Sequence, residues 1–385
     1  MSLALKLGCC SKVNNFYLTE LYNQGQNMMQ LARILKTVER DFFFLFFITD
    51  FCNLFFRTMY QHFLFLFFLS FHPHKCQDQT LSEDPYEIPK DYQEIYRGTK
   101  NDLSLHISAI PSLPEGIFDS LANLTFLDLA RNRITTLPGD AFSKLAQLRV
   151  LRLYENELQD LPEGLLDSQT GLLELNLQRN RLRELPPMLL RSLPHLEKLL
   201  LDNNFIRVLP PQGFFGLNKL KLLTLGSNCI TELPCCLFDT MADLRELDLG
   251  RNSLATLPDS IFINLTSLGK LILSHNQLAA LPKGAFTGLS KLSDLQLDTN
   301  NLSALGNEVF ASLPNLKTLN LRKNQLESVP PGLLDLLKKL SSVYLSGNPW
   351  KCDCNLCYLH SWILSNSEKV KLSTQTVDPA TWRPL

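Results

Sequence analysis

Neither sign of charge is in excess in this chain: 37 Lys and Arg residues face 38 Asp and Glu residues, for a net charge of −1. No basic stripe of the kind that follows a phosphate backbone is present, and neither is a Gly-rich phosphate loop or a heptad run, which sets nucleic acid aside as an expected partner. Histidine is scarce at 7 residues, and His106, His195, His275 and His360 lie far apart in the sequence. No H-E-x-x-H, G-x-S-x-G or paired-carboxylate motif appears, so no nucleophile, base and orienting group are brought together by spacing; no catalytic residues and no cofactor are expected. Long apolar runs are missing too. The aromatic stretch from Phe42 to Phe71 is interrupted by Asp50, Arg57 and His62, so nothing approaches the roughly 20 apolar residues of a membrane-spanning helix.

What the chain has is a period. Asparagine recurs every 24 residues at Asn132, Asn156, Asn180, Asn204, Asn228, Asn252, Asn276, Asn300, Asn324 and Asn348. Around each stands the same frame, seen in Leu148, Leu151, Leu153, Asn156, Leu158, Leu161, Pro162 and Leu166. It matches the leucine-rich repeat pattern L-x-x-L-x-L-x-x-N-x-L, in which each unit contributes one strand and stacks on its neighbours. In the run Leu151, Arg152, Leu153 the leucines point to one face and the arginine to the other, because side chains alternate along a strand. A unit of this size cannot bury its leucines alone, so stability belongs to the array. The fold class expected is α/β: a leucine-rich repeat solenoid with a parallel, concave β-sheet roughly 50 Å long at about 4.8 Å per strand, and a C-terminal cap.

The asparagines read as scaffold. A buried carboxamide carries two N–H donors and an acceptor, enough to satisfy backbone groups left open where each coil turns away from its strand. The Leu-Pro pairs that end at Pro138, Pro162, Pro186, Pro210, Pro234, Pro258 and Pro282, with Pro330 after Val329, fix an extended turn where a missing N–H does no harm. Phe142, Phe214, Phe238, Phe262, Phe286 and Phe310 form a second column, expected to be core on the convex side.

Cysteine usage and the ends of the chain speak to the compartment. Cys352, Cys354 and Cys357 follow the last repeat, where a disulfide-tied cap would close the open apolar end of the array in an oxidising compartment. A zinc site built from these three and His360 is disfavoured, since the C-x-C spacing is too short for the common C-x-x-C knuckle; no metal is expected. Cys229, Cys235 and Cys236 lie within the array, and their expected state is a partly buried free thiol. Sequons at Asn123, Asn264 and Asn301 fall outside the leucine core, where glycans are tolerated. Residues 59–75 read as a cleavable signal peptide with the apolar core Phe63–Phe71, the competing reading being a signal anchor. Residues 1–58 are an unassigned extension, 76–102 an irregular N-terminal cap region with Cys76, 103–347 the solenoid and 348–385 the cap.

The run Asn348-Pro349-Trp350-Lys351-Cys352-Asp353-Cys354, followed by Leu356, Leu359 and Trp362, resembles the C-terminal cysteine-rich cap of extracellular leucine-rich repeat proteins. With repeats of this length, residues 103–370 resemble secreted members such as leucine-rich alpha-2-glycoprotein and the non-catalytic subunit of carboxypeptidase N, and are similar to the adhesive platelet glycoprotein Ib alpha ectodomain. The resemblance implies an extracellular glycoprotein that binds a protein ligand or a partner subunit through its horseshoe. It also implies cap cysteines paired with others further along, and this chain offers none in that region.

Function would then sit on outward strand positions. The column between the strand leucines runs Asp128, Arg152, Asn176, Leu200, Thr224, Asp248, Ile272, Gln296, Asn320 and Tyr344. Beside it stand Tyr154, Lys198, Leu222, Glu246 and Lys270. Exposed apolar Leu200, Leu222 and Ile272 flanked by charged Lys198, Glu246, Asp248 and Lys270, with Tyr154 to one side, form the expected ligand-binding patch. Three readings follow: a secreted binder, a non-catalytic carrier subunit of an extracellular enzyme, and a membrane-tethered adhesion receptor.

Overall fold

The computed structural model describes residues 101–351 and 353–371. The readings of residues 1–58 as an extension and 59–75 as a signal peptide, together with Cys76 and Cys352, lie outside the described residues. Twelve strands form one sheet in sequence order, all neighbours parallel. They are β1 (Asp102–Ser104), β2 (Phe126–Asp128), β3 (Val150–Arg152), β4 (Glu174–Asn176), β5 (Lys198–Leu200), β6 (Leu222–Thr224), β7 (Glu246–Asp248), β8 (Lys270–Ile272), β9 (Asp294–Gln296), β10 (Thr318–Asn320), β11 (Ser342–Tyr344) and β12 (Val370–Lys371). From β1 to β11 the register equals the sequence period, so that Leu151 faces Leu127 on one side and Leu175 on the other. Each column of like residues is therefore a straight line through the stack.

Those columns make one continuous core. Leu127, Leu151, Leu175, Leu199, Leu223, Leu247, Leu271, Leu295 and Leu319 are essentially inaccessible, as are the columns of Leu129 and Leu145. Each such leucine contributes roughly 1.5–3 kcal/mol, realised only when the next coil covers it. The phenylalanines expected as core are buried, and Phe118 extends their column by one coil. Rings stack at 6.2 Å for Phe118 and Phe142, 5.9 Å for Phe238 and Phe262, and 6.0 Å for Phe286 and Phe310. Parallel strands are spaced at about 4.8 Å. Where the rings stack, the coils are spaced more widely at the back than at the strands, so the stack bends with the sheet on the inner, concave side. Turns and a short 3-10 segment at Leu334–Leu336 build that back; the α-helix among the described residues, α1 (Cys357–Ser365), belongs to the cap.

The asparagine column ties coil to coil. Asn180 donates from Nδ2 to the carbonyls of Leu153 (2.9 Å) and Leu177 (3.0 Å), while its Oδ1 accepts from the Leu158 N–H at 3.1 Å. The pattern repeats at Asn156, Asn204, Asn228, Asn252, Asn276 and Asn300. Immediately before each asparagine the backbone is left-handed: Arg131, Glu155, Arg179, Asn203, Ser227, Arg251, His275, Thr299 and Lys323 all have φ between 51° and 57°. Non-glycine residues pay for that conformation. The offset is visible, since each N–H there donates across to the next coil, as Glu155 does to Gln178 O at 2.8 Å and Ser227 to Gly250 O at 2.8 Å.

At the C-terminal end the apolar face is closed by packing. Leu359 and Trp362 of α1 are buried, Trp350, Leu356, Tyr358 and Ile363 pack beside them, and the Tyr358 hydroxyl accepts the Leu334 N–H at 3.1 Å. The chain then returns to lay β12 along β11. Cys354 is an exposed free thiol, so the expected disulfide tie is not made through it; Cys357 opens α1 at the surface. Within the array, Cys229 is disulfide-bonded where a free thiol was expected. Cys235 and Cys236 are free, but exposed instead of partly buried, because they sit on the turn that follows Pro234, before the chain dips into the core at Leu237.

Candidate binding face

Three residues of each coil reach the concave face from the strand and its exit: the first and third of the strand and the residue after the next leucine. The left-handed residue adds a fourth at the rim. In the coils of β2 to β5 this face is crosslinked by charge. Glu155 accepts from Arg131 at 3.1 Å and from Arg179 at 2.9 Å. Arg152 meets Glu174 at 3.2 Å and Asp128 at 3.9 Å, and its guanidinium lies 5.1 Å from the Phe126 ring centroid. Lys198 reaches the other Glu174 oxygen at 3.4 Å. Tyr154, with Arg131 5.9 Å over its ring, borders a depression of about 460 Å³ walled by these groups. Cation and anion are matched here, which leaves a polar, ordered rim.

Further along, the face opens. After the strand leucine the successive coils carry Ala130, Tyr154, Gln178, Asp202, Gly226, Gly250, Ser274 and Asp298. Two glycines in succession remove the side chains from the middle of the column. A Cβ at Gly226 would sit 3.2 Å from Asp202 Oδ1 and 3.3 Å from Asp248 Oδ1; one at Gly250 would sit 3.2 Å from Ile272 Cγ2. The result is a depression of about 330 Å³ lined by Asp202, Thr224, Asp248, Ile272, Ser274 and His275 among others. Asp202 is held by the Gly226 N–H at 3.0 Å, by Gln178 and by the Thr224 hydroxyl. Asp248 accepts the Gly250 N–H at 2.8 Å.

Electrostatics in this depression are those of a half-dry site. Burial pushes the Asp248 carboxyl above its ordinary value, partly countered by the Gly250 N–H. Burial also lowers His275, helped by Arg251, against the pull of Asp298. Lys270 is raised by its hydrogen bond to Glu246 at 2.7 Å. Carboxylates preformed on backbone N–H groups, one of them poorly hydrated, favour a ligand that brings donors or positive charge.

The expected patch residues divide between the two regions. Tyr154 belongs to the charged rim, and Lys198 is tied to it through Glu174. Asp248 and Ile272 line the glycine depression, with the Glu246–Lys270 pair beside it on β7 and β8. Leu200, Leu222 and Ile272, expected to be exposed, are half-buried, because in-register neighbours at strand spacing cover their flanks. Arg131, Glu155, Arg179, Asp202, Gly226, Gly250, Ser274 and His275 escaped the sequence reading. The available signal was the recurrence Leu225-Gly226-Ser227-Asn228 and Leu249-Gly250-Arg251-Asn252, two glycines in a column that elsewhere carries side chains. Asn123, Asn264 and Asn301 are exposed; Asn264 donates to Asp239 at 3.2 Å.

Known proteins agree with this architecture. The platelet glycoprotein Ib beta chain of Rattus norvegicus is 49% identical over 41 residues, 11% of this chain and 20% of that protein. Human platelet glycoprotein IX is 39% identical over 52 residues, 14% of this chain and 29% of that one. Neither match spans a third of the relative's length. Among solved structures, one in the Toll–Spatzle complex of Drosophila is 26% identical with a TM-score of 0.53, covering 62% of this chain and 35% of that chain. The leucine rich repeat family matches residues 101–158, 147–206, 194–254, 242–302 and 290–349, which is the whole stack of coils. The chain belongs to the leucine-rich repeat family.

Proposed function

We propose that this chain is a secreted recognition protein that docks a protein ligand on its concave face, centred on the depression at Gly226 and Gly250. That paired loss of side chains carries the reading: it opens a recess in a face otherwise filled by interlocked residues, lined by half-buried Ile272 and charged groups, with half-buried Leu222 on the strand that ends at its Thr224. A recess with fixed carboxylates, next to half-buried apolar side chains, offers a protein ligand both polar and apolar contacts, and a curved face some tens of ångströms long suits a protein better than a metabolite. Similarity to platelet glycoproteins and to a chain solved with Spatzle supports recognition as the business of this fold, although fold alone does not name a ligand. Residues 59–75 serve as the export signal in this reading, with glycans at Asn123, Asn264 and Asn301. Lys198, Leu200, Leu222, Glu246, Asp248, Lys270 and Ile272 contact the ligand, with Tyr154 at its edge.

The test is a double variant, Lys198→Glu with Leu222→Ala, compared with wild type for retention of serum proteins on the immobilised chain. Neither side chain belongs to the inner core, so the melting temperature stays nearly unchanged while the proteins retained by wild type are lost. Retention of the same proteins by the folded variant would sink the assignment of this patch.

A further inference from the structure

Cys235 and Cys236 are neighbours in sequence, free and exposed, on the back of the solenoid away from the concave face. Their backbone is held from both sides: Leu233 before them and Leu237 and Phe238 after them are buried. Cys236 has φ +64°, in the coil position where Gly116, Gly164 and Gly332 have φ of +67°, +77° and +81°. A side chain there carries a backbone cost that glycine avoids. Cys235 and the carboxylate of Asp239, three residues on, are the neighbours that act on the Cys236 thiol.

From this geometry we propose that Cys235 and Cys236 form a reversible vicinal dithiol that exchanges with low-molecular-weight disulfides. In the first step the Cys235 sulfur, as thiolate, attacks one sulfur of R–S–S–R; the S–S bond breaks and one RS⁻ departs. In the second, the Cys236 sulfur attacks the Cys235 sulfur of the mixed disulfide, its proton passes to a departing thiolate, and an eight-membered ring closes. The balance is one dithiol and one R–S–S–R giving one ring disulfide and two R–SH: the protein pair loses two electrons and two protons, and the small disulfide gains them.

The neighbouring Cys235 sulfur, then the negative Asp239, push the Cys236 thiol up. Whichever sulfur reacts first, its sequence neighbour stands next to the mixed disulfide and closes the ring. A disulfide between adjacent cysteines is strained, and strained, exposed disulfides are the readily reduced ones, which makes the ring reversible where a structural disulfide is not. No part of this requires the concave face or its ligand.

The experiment equilibrates the folded full chain with glutathione buffers of varied ratio, quenches with acid, and maps the peptide spanning both cysteines by mass. Loss of two hydrogens from that peptide in excess oxidised glutathione, reverting fully in excess reduced glutathione, is the expected result. The single variants Cys235→Ser and Cys236→Ser, each losing only an exposed thiol, should instead hold one glutathione. Three outcomes overturn the proposal: thiols unchanged at every ratio, a glutathione adduct on wild type that never resolves, or a disulfide between two copies of the chain.

Discussion

Where eight other coils bury an apolar side chain, as Leu145, Leu193, Leu217, Met241, Leu265, Leu289, Leu313 and Leu337 do, the third carries Gln169. Its Nε2 donates to Phe142 O at 2.6 Å, but its buried Oε1 has no partner. Phe142 O already accepts the Leu145 N–H at 2.9 Å, so replacing Gln169 by Leu orphans nothing. Gln169→Leu should raise stability by about 1 kcal/mol in urea titration, the cost of desolvating an unpaired acceptor being removed; a loss of stability would show that the carboxamide is satisfied by bound water. His275 offers a second test at this scale. Its folded-state value is depressed below the ordinary 6.5, so in the window just below that value the unfolded chain binds the proton more readily than the folded one. Stability due to this group is complete above the window and falls as pH drops through it. His275→Asn should flatten the urea midpoint between about pH 7 and pH 5; an unchanged slope would refute the role of its burial.

At the scale of the element, side-chain periodicity was legible and backbone periodicity was not. Leucine, asparagine and phenylalanine each do work that another side chain does badly, so their columns can be read from spacing alone. The left-handed residue before each asparagine is set instead by the N–H it must send to the next coil, and Arg, Glu, Asn, Ser, His, Thr and Lys all occupy it. Residue type therefore hides the row that rims the binding face. The return of Val370–Lys371 onto β11 was equally hidden, since two residues carry no alternation to detect. The cap closes the array through Trp362, Leu359 and that short strand, which covers an edge otherwise open to pairing. Trp362→Ala should cost about 3–5 kcal/mol locally, seen as faster amide exchange at β11 and β10 with β3 to β6 unchanged. Uniform loss of protection along the whole stack would mean that the cap governs global folding instead.

Across the stack of coils, curvature follows from a mismatch of two lengths: phenylalanine rings stacked near 6 Å at the back against strands about 4.8 Å apart at the front. The horseshoe and its inner face were thus implicit in the sequence, and so was the outward column of Leu200, Asp248 and Ile272. The depression is not legible in the sequence, because it is made by the side chains that Gly226 and Gly250 lack. The proposed function requires that a protein seats in that depression. A photoreactive amino acid placed at Leu222, beside the recess, and separately at exposed Ala311 on the back of the solenoid, tests it most directly on exposure to serum and irradiation. A discrete crosslinked protein is expected from position 222 and none from position 311. A product from 311 alone, or the same product from both, would contradict it.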